Sequence, residues 1–175
     1  MKRLFIICFI LLIPALLLGQ DWKTYSDTSV LFTAKYPANW TTKMKEGKRV
    51  FFTSPADSPS DDFLENINIS VTTNPGYGTE IKIKDLFPSV TNSLKPAFNE
   101  FKEESQRFFK WNNTDAAEII YSGYNKVDTS FQVRMVQWFC FYKTRLYTVT
   151  FTSEANNNKH NTTARKIMSG VIFRN

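Results

Sequence analysis

A proline between two alternating runs does most to limit what this chain can fold into. Val30, Phe32, Ala34 and Tyr36 alternate with Leu31, Thr33 and Lys35, the period of an extended strand. Pro37 removes a backbone donor and holds Tyr36 extended, so the strand stops there. Trp40 then opens a second alternating run with Thr42 and Met44, which Glu46-Gly47 breaks. The Tyr36-Pro37-Ala38-Asn39-Trp40 corner is therefore expected to be a hinge between two strands of one sheet. It constrains the fold and carries no chemistry.

The corner follows a leader. Lys2 and Arg3 precede an apolar run over residues 4–18 that ends on the small Gly19, the pattern of a secretory signal peptide. At about 15 residues the run is shorter than the roughly 20 of a transmembrane helix. Cleavage after Gly19 is expected to leave residues 20–175 as one exported domain, periplasmic or extracellular, with no stable membrane span. That length is enough to bury a proper core.

Removal of Lys2 and Arg3 lowers the formal net charge of +6 by two, and the remaining basic residues are scattered. The densest group, Lys43, Lys45, Lys48 and Arg49 around the Glu46-Gly47 turn, reads as a solvated hairpin. Nucleic acid is not an expected partner, because it calls for a basic stripe with stacking aromatics. Cys8 leaves with the leader, so Cys140 has no intramolecular disulfide partner. Within the apolar run 136–142 it is expected to act as a small buried hydrophobe.

Along the domain the hydrophobic period changes several times. Residues 48–53 pair back as a hairpin strand, residues 54–65 form a polar loop, and Ile67, Ile69 and Val71 mark a half-buried strand. Leu86, Phe87, Val90 and Leu94 suit one helical face, with Asp85 near its start, Pro88 tolerable in a first turn and Pro96 ending it. Phe98, Phe101 and Phe108 fit a helix or a strand. The break at Pro96 favours a strand from about Glu104. Strands follow at 117–121, 131–142 and 146–152, the second apolar on both faces from Met135 and so requiring cover on both sides. Ser153 is read as the N-cap of a last helix over roughly 156–170, buried through Ala164, Ile167, Met168 and Val171. Ile172-Phe173 closes as a short edge pairing. The order predicts an α+β fold, an α/β/α sandwich with a mainly antiparallel sheet covered by helices.

Taken together, Trp22 and Tyr25, the Phe32…Tyr36-Pro37…Trp40 corner and the Gly47…Val50-Phe51-Phe52 hairpin begin a recognisable order. The Glu65-Asn66-Ile67 strand start, the strand after Asn113, the long aromatic strand, the Tyr147 strand and the terminal helix complete it. This order resembles the PsbP-like/Mog1-like superfamily over nearly all of the mature chain. The resemblance implies an α/β/α sandwich and docking roles: on a photosystem, on a small GTPase, or in bacterial envelopes. No residue role carries over, because partners differ between branches. Where the family often has Gly before the Ala-containing strand, this chain has Asn113-Thr114-Asp115, and Asn tolerates the left-handed backbone such a turn needs.

Catalytic patterns are missing from the sequence. His160 is the single histidine, set in a polar stretch and expected at an exposed helix position. No Gly-x-Ser-x-Gly elbow occurs. A transition-metal site built on His and Cys has two such residues in the mature chain to draw on. Asp57, Asp61, Asp62 and Glu65 share one loop, but their spacing matches no calcium loop and suits an ordinary solvated one. Convergence of polar groups around His160 or this loop would point back towards an enzyme. The 16 Phe, 4 Trp and 7 Tyr mostly build core, with Trp138 and Tyr142 as candidate partner-binding residues where the two-faced strand meets a groove. The expectation is a non-catalytic domain that docks on another envelope protein and needs no cofactor. The alternative is a carrier holding a lipid or hydrophobic ligand in an apolar pocket between sheet and helix.

Overall fold

The computed structural model describes residues 20–29, 31–45 and 49–174. The leader, Val30 and the Glu46-Gly47-Lys48 turn lie outside the described residues. Among the described residues ten strands run in order with two α-helices: β1 Trp22–Asp27, β2 Phe32–Pro37, β3 Thr41–Lys45, β4 Arg49–Thr53, β5 Asn66–Thr73, α1 Ile83–Leu94, β6 Phe98–Trp111, β7 Thr114–Asn125, β8 Asp128–Tyr142, β9 Arg145–Glu154, α2 Asn161–Ser169 and β10 Ile172–Phe173. A seven-stranded sheet has the order β3-β4-β5-β9-β8-β7-β6, and β1-β2-β10 form a second, smaller sheet. Every strand pair in both is antiparallel.

β8 explains the layering. Its Val136, Trp138 and Cys140 enter one core with Phe32 and Ala34 of β2, Ala164, Ile167 and Met168 of α2, and Phe173 of β10. Val133, Phe139 and Phe141 enter another with Ile83 and Phe87 of α1. The small sheet and α2 thus cover one face of the large sheet, and α1 covers the other. A strand with apolar residues on both faces requires such double cover, as its sequence predicts. Cys140 is free and buried, and burial pushes its thiol far above the usual range.

The Tyr-Pro-x-x-Trp corner does more than bend a strand, and the one-sheet expectation is corrected. β2 belongs to the small sheet and β3 to the large one, so residues 38–40 carry the chain from one layer to the other. The Trp40 amide donates to the Pro37 carbonyl at 3.0 Å to close the turn. Trp40 precedes β3 and is buried, whereas every residue of β3 is exposed.

Helix α1 opens with the Lys82 amide donating to Asp85 Oδ2 at 3.3 Å, one half of a capping box, while the Asp85 amide donates to the Lys82 carbonyl at 3.0 Å. Pro88 lies beyond the first turn expected for it. The helix gives way to a 3-10 turn at Lys95–Ala97, where Pro96 sits. Strand β6 then starts at Phe98, six residues earlier than the periodicity indicates. Bulges between Asn99 and Lys102 and between Glu103 and Ser105 break its register with β7. Each bulge shifts the alternation of faces and hides the strand from a period-two reading. The β6–β7 turn uses Asn112 and Asn113 at φ 48° and 62°, the left-handed backbone expected of asparagine there. Ser153 lies buried inside β9 and caps nothing. The Asn-rich run instead forms turns, with the Lys159 amide donating to Asn157 Oδ1 at 3.0 Å, and α2 begins only at Asn161.

Candidate functional site

Two places concentrate exposed or reactive chemistry, and they lie on different elements. The first is a groove of about 930 Å³ between the start of α1 and the β6–β7 hairpin. Ile83, Phe108, Phe109 and Phe141 supply apolar walls, and Lys82, Lys84 and Lys110 line it with positive charge. Phe108 is 56% exposed, a large aromatic left in water. Its ring meets Phe87 of α1 at 5.4 Å between centroids, so it stands at the border where the cover of α1 ends. Lys110 pairs with Asp115 at 2.7 Å, both exposed, and Lys82 Nζ donates to the Gly78 carbonyl at 2.9 Å. Lys84 has no ion-pair partner among the described residues.

The second place joins the loop between β4 and β5 to the start of α2. Asp61 shapes the loop by accepting from the amides of Asp57 at 2.7 Å and Phe63 at 3.1 Å. Glu65, 1% exposed, accepts hydrogen bonds from Ser54 Oγ at 3.3 Å and Asn157 Nδ2 at 2.7 Å. Burial raises its carboxyl above the ordinary value. His160 Nε2 stands 3.0 Å from Asp57 Oδ1 and 4.0 Å from Glu65 Oε2. Lys159 Nζ lies 2.6 Å from the same Asp57 oxygen. That hydrogen bond, above all, holds the Asp57 carboxyl below its ordinary value.

The expectation of an exposed His160 is therefore corrected: its side chain is 12% exposed and packs against buried Trp40. The loop is not simply solvated either, since Glu65 turns inward. Counting only His and Cys as ligands missed the carboxylates that fold against the histidine from about a hundred residues away. The convergence does not form an acyl-transfer triad, because buried Ser54 donates to Glu65 and not to His160.

Neither of the two aromatics singled out in the sequence lines the groove. Trp138 is buried, donates its indole N–H to Glu118 Oε2 at 2.6 Å, and packs against Phe109 and Trp111. Tyr142 is half-buried beside Phe173 and Tyr147. Sequence reasoning missed Phe108 as a site residue because the β6 bulges obscure which face it occupies.

Helices on opposite faces of a large antiparallel sheet define an α+β sandwich. No family model and no curated protein sequence matches the chain. Solved structures do. Cyanobacterial PsbP (CyanoP) of Synechocystis matches with a TM-score of 0.60 at 14% identity, over 89% of this chain and 94% of that one. The Ran-binding protein Mog1p of Saccharomyces cerevisiae matches with a TM-score of 0.60 at 7% identity, over 89% and 96%. LpqN of Mycobacterium tuberculosis, involved in cell envelope biogenesis, matches with a TM-score of 0.57 at 11% identity, over 82% and 83%. The chain has the PsbP/Mog1-like fold.

Proposed function

We propose that this protein is an exported, non-catalytic docking domain that binds another envelope protein through the groove beside α1. The observation that carries this reading is Phe108, 56% exposed above an apolar floor and flanked by three lysines. Large exposed aromatics in a polar rim serve as anchors of protein contacts. The charge of the rim selects an acidic segment carrying an apolar anchor. A leader over residues 1–19 and the envelope role in the name of LpqN support export, and the Ran-binding role in the name of Mog1p supports protein binding on this fold. No helix among the described residues is long and apolar enough to cross a membrane. Tyr142, half-buried, remains a candidate contact at the far end of β8, whereas Trp138 has little surface to offer a partner.

The experiment is crosslinking in the native cell, comparing wild type with Phe108→Asp and Lys84→Glu. The expected result is one protein captured by wild type and lost in both variants, with melting temperatures unchanged. Equal capture by the variants overturns the groove assignment. Recovery of a bound lipid or other hydrophobic molecule in place of a protein supports the carrier reading instead.

A further inference from the structure

The groove leaves the cluster at the start of α2 unexplained. Two carboxylates, Asp57 and Glu65, face one ring nitrogen, His160 Nε2, at 3.0 and 4.0 Å. The three candidate ligand atoms all lie within 4.8 Å of one another. Ser54 and Asn157 bond to Glu65 and fix its orientation, yet neither brings a positive charge to this 1% exposed carboxylate. Lys159 approaches only Asp57, from the surface side, with its own side chain 58% exposed.

We propose that Asp57, Glu65 and His160 form a divalent metal site of the zinc class. The ligands are Asp57 Oδ1, Glu65 Oε2 and His160 Nε2, and the fourth position is left for water. Zinc bonds of about 2.0–2.1 Å in a tetrahedron place ligand atoms roughly 3.3 Å apart, between the two distances seen. An imidazole nitrogen suits zinc, whereas calcium takes six to eight oxygens. The hydrogen bonds to Glu65 are the outer support that metal carboxylates use. Two carboxylates outweigh the partial positive charge of the α2 N-terminus. An acidic cavity of about 280 Å³, lined by Asp57, Asp61, Asp62, Glu154 and Asn157, adjoins the cluster and offers a cation a way in. Binding exchanges the Lys159 contact on Asp57 for the metal and clips the β4–β5 loop to α2.

The test is calorimetric titration of the chelator-treated full chain with zinc chloride, alongside tryptophan fluorescence and thermal melting. One zinc bound per chain, a raised melting temperature and altered emission from Trp40, which packs on His160, are expected. His160→Gln and Glu65→Gln should each weaken binding by about tenfold or more. Glu65 is buried, so its variant has a folding risk that Lys159→Ala avoids. Lys159→Ala removes the competing ammonium and should tighten zinc binding several-fold. No saturable zinc binding by wild type, undiminished binding by His160→Gln, or unchanged binding by Lys159→Ala would overturn the proposal. Calcium binding as tight as zinc would overturn the assigned class.

Discussion

The Trp40 indole and the His160 imidazole stand perpendicular, with 5.6 Å between ring centroids and 83° between planes. One belongs to the turn that carries the chain between sheets and the other to the start of α2, so a single contact joins the fold's corner to its polar cluster. Trp40 is 3% exposed, so truncating it removes a large side chain from a close-packed core. Trp40→Ala is expected to lower stability by about 3–5 kcal/mol. Urea unfolding measures this, and a loss below about 1 kcal/mol would place Trp40 outside the core.

Glu118 gives an acid-sensitive stability. Its side chain is 3% exposed and accepts from Arg107 Nε at 2.7 Å, Arg165 Nη1 at 2.7 Å and Trp138 Nε1 at 2.6 Å. Burial alone would raise its carboxyl, but the bonds from Arg107, Arg165 and Trp138 together outweigh it and hold the value below the ordinary one. A depressed folded-state value stabilises the fold above the unfolded value of about 4.3, and that contribution is lost as pH falls through the folded value. Both arginines are partly exposed, so Glu118→Gln strands no buried cation. The variant should lose about 1.5–3 kcal/mol at pH 7, and the gap to wild type should close as pH falls through the depressed folded-state value. Denaturation curves across pH check this. A constant gap down to acid pH would show that the charge of Glu118 is irrelevant.

These residues also mark what a sequence can reveal. The stop at Pro37, the two-faced β8 and the asparagine turn are local effects of backbone chemistry and side-chain period, and all three were readable. The partner of β2 was not, because its neighbours β1 and β10 come from opposite ends of the domain. Nor was the inward turn of Glu65 and His160, which meet across the fold, one from a stretch that reads as polar loop and the other from one that reads as exposed helix. The start of β6 stayed hidden for another reason: bulges cancel the alternation that announces a strand. Local rules therefore gave most elements, while the site depended on long-range pairing.

The asparagine turn yields a direct test. Asn112 and Asn113 both have positive φ, and Asn112 Nδ2 also donates to the Val171 carbonyl at 2.6 Å. Asn113 has the left-handed backbone without that additional bond, so it isolates the conformational effect. Asn113→Val should lose about 1–2 kcal/mol, since a β-branched residue is a poor fit there. Asn113→Gly should stay within a few tenths of a kcal/mol of wild type, glycine adopting this conformation without steric strain. Thermal melts of the pair decide the matter, and equal stability of the two variants would count against a strained turn.

Gly123 tests how tightly the β6 bulge is held. It pairs with Val133 of β8, and on its other side the β6 backbone bends past it, with Glu100 at φ 54°. A Cβ at Gly123 would lie 2.9 Å from the Asn99 carbonyl oxygen and 3.2 Å from Phe98 Cβ. The first contact is with backbone, so relief requires the bulge itself to move. Phe98 and Phe101 pack on Tyr121 at 5.4 and 5.5 Å between centroids, so that movement would disturb the core under α1 as well. Gly123→Ala is expected to lose about 1–3 kcal/mol and to speed amide exchange at the start of β6 before other strands. Hydrogen exchange together with urea unfolding reads both effects. A change under about 0.5 kcal/mol with unaltered exchange would mean that the bulge has room for a side chain.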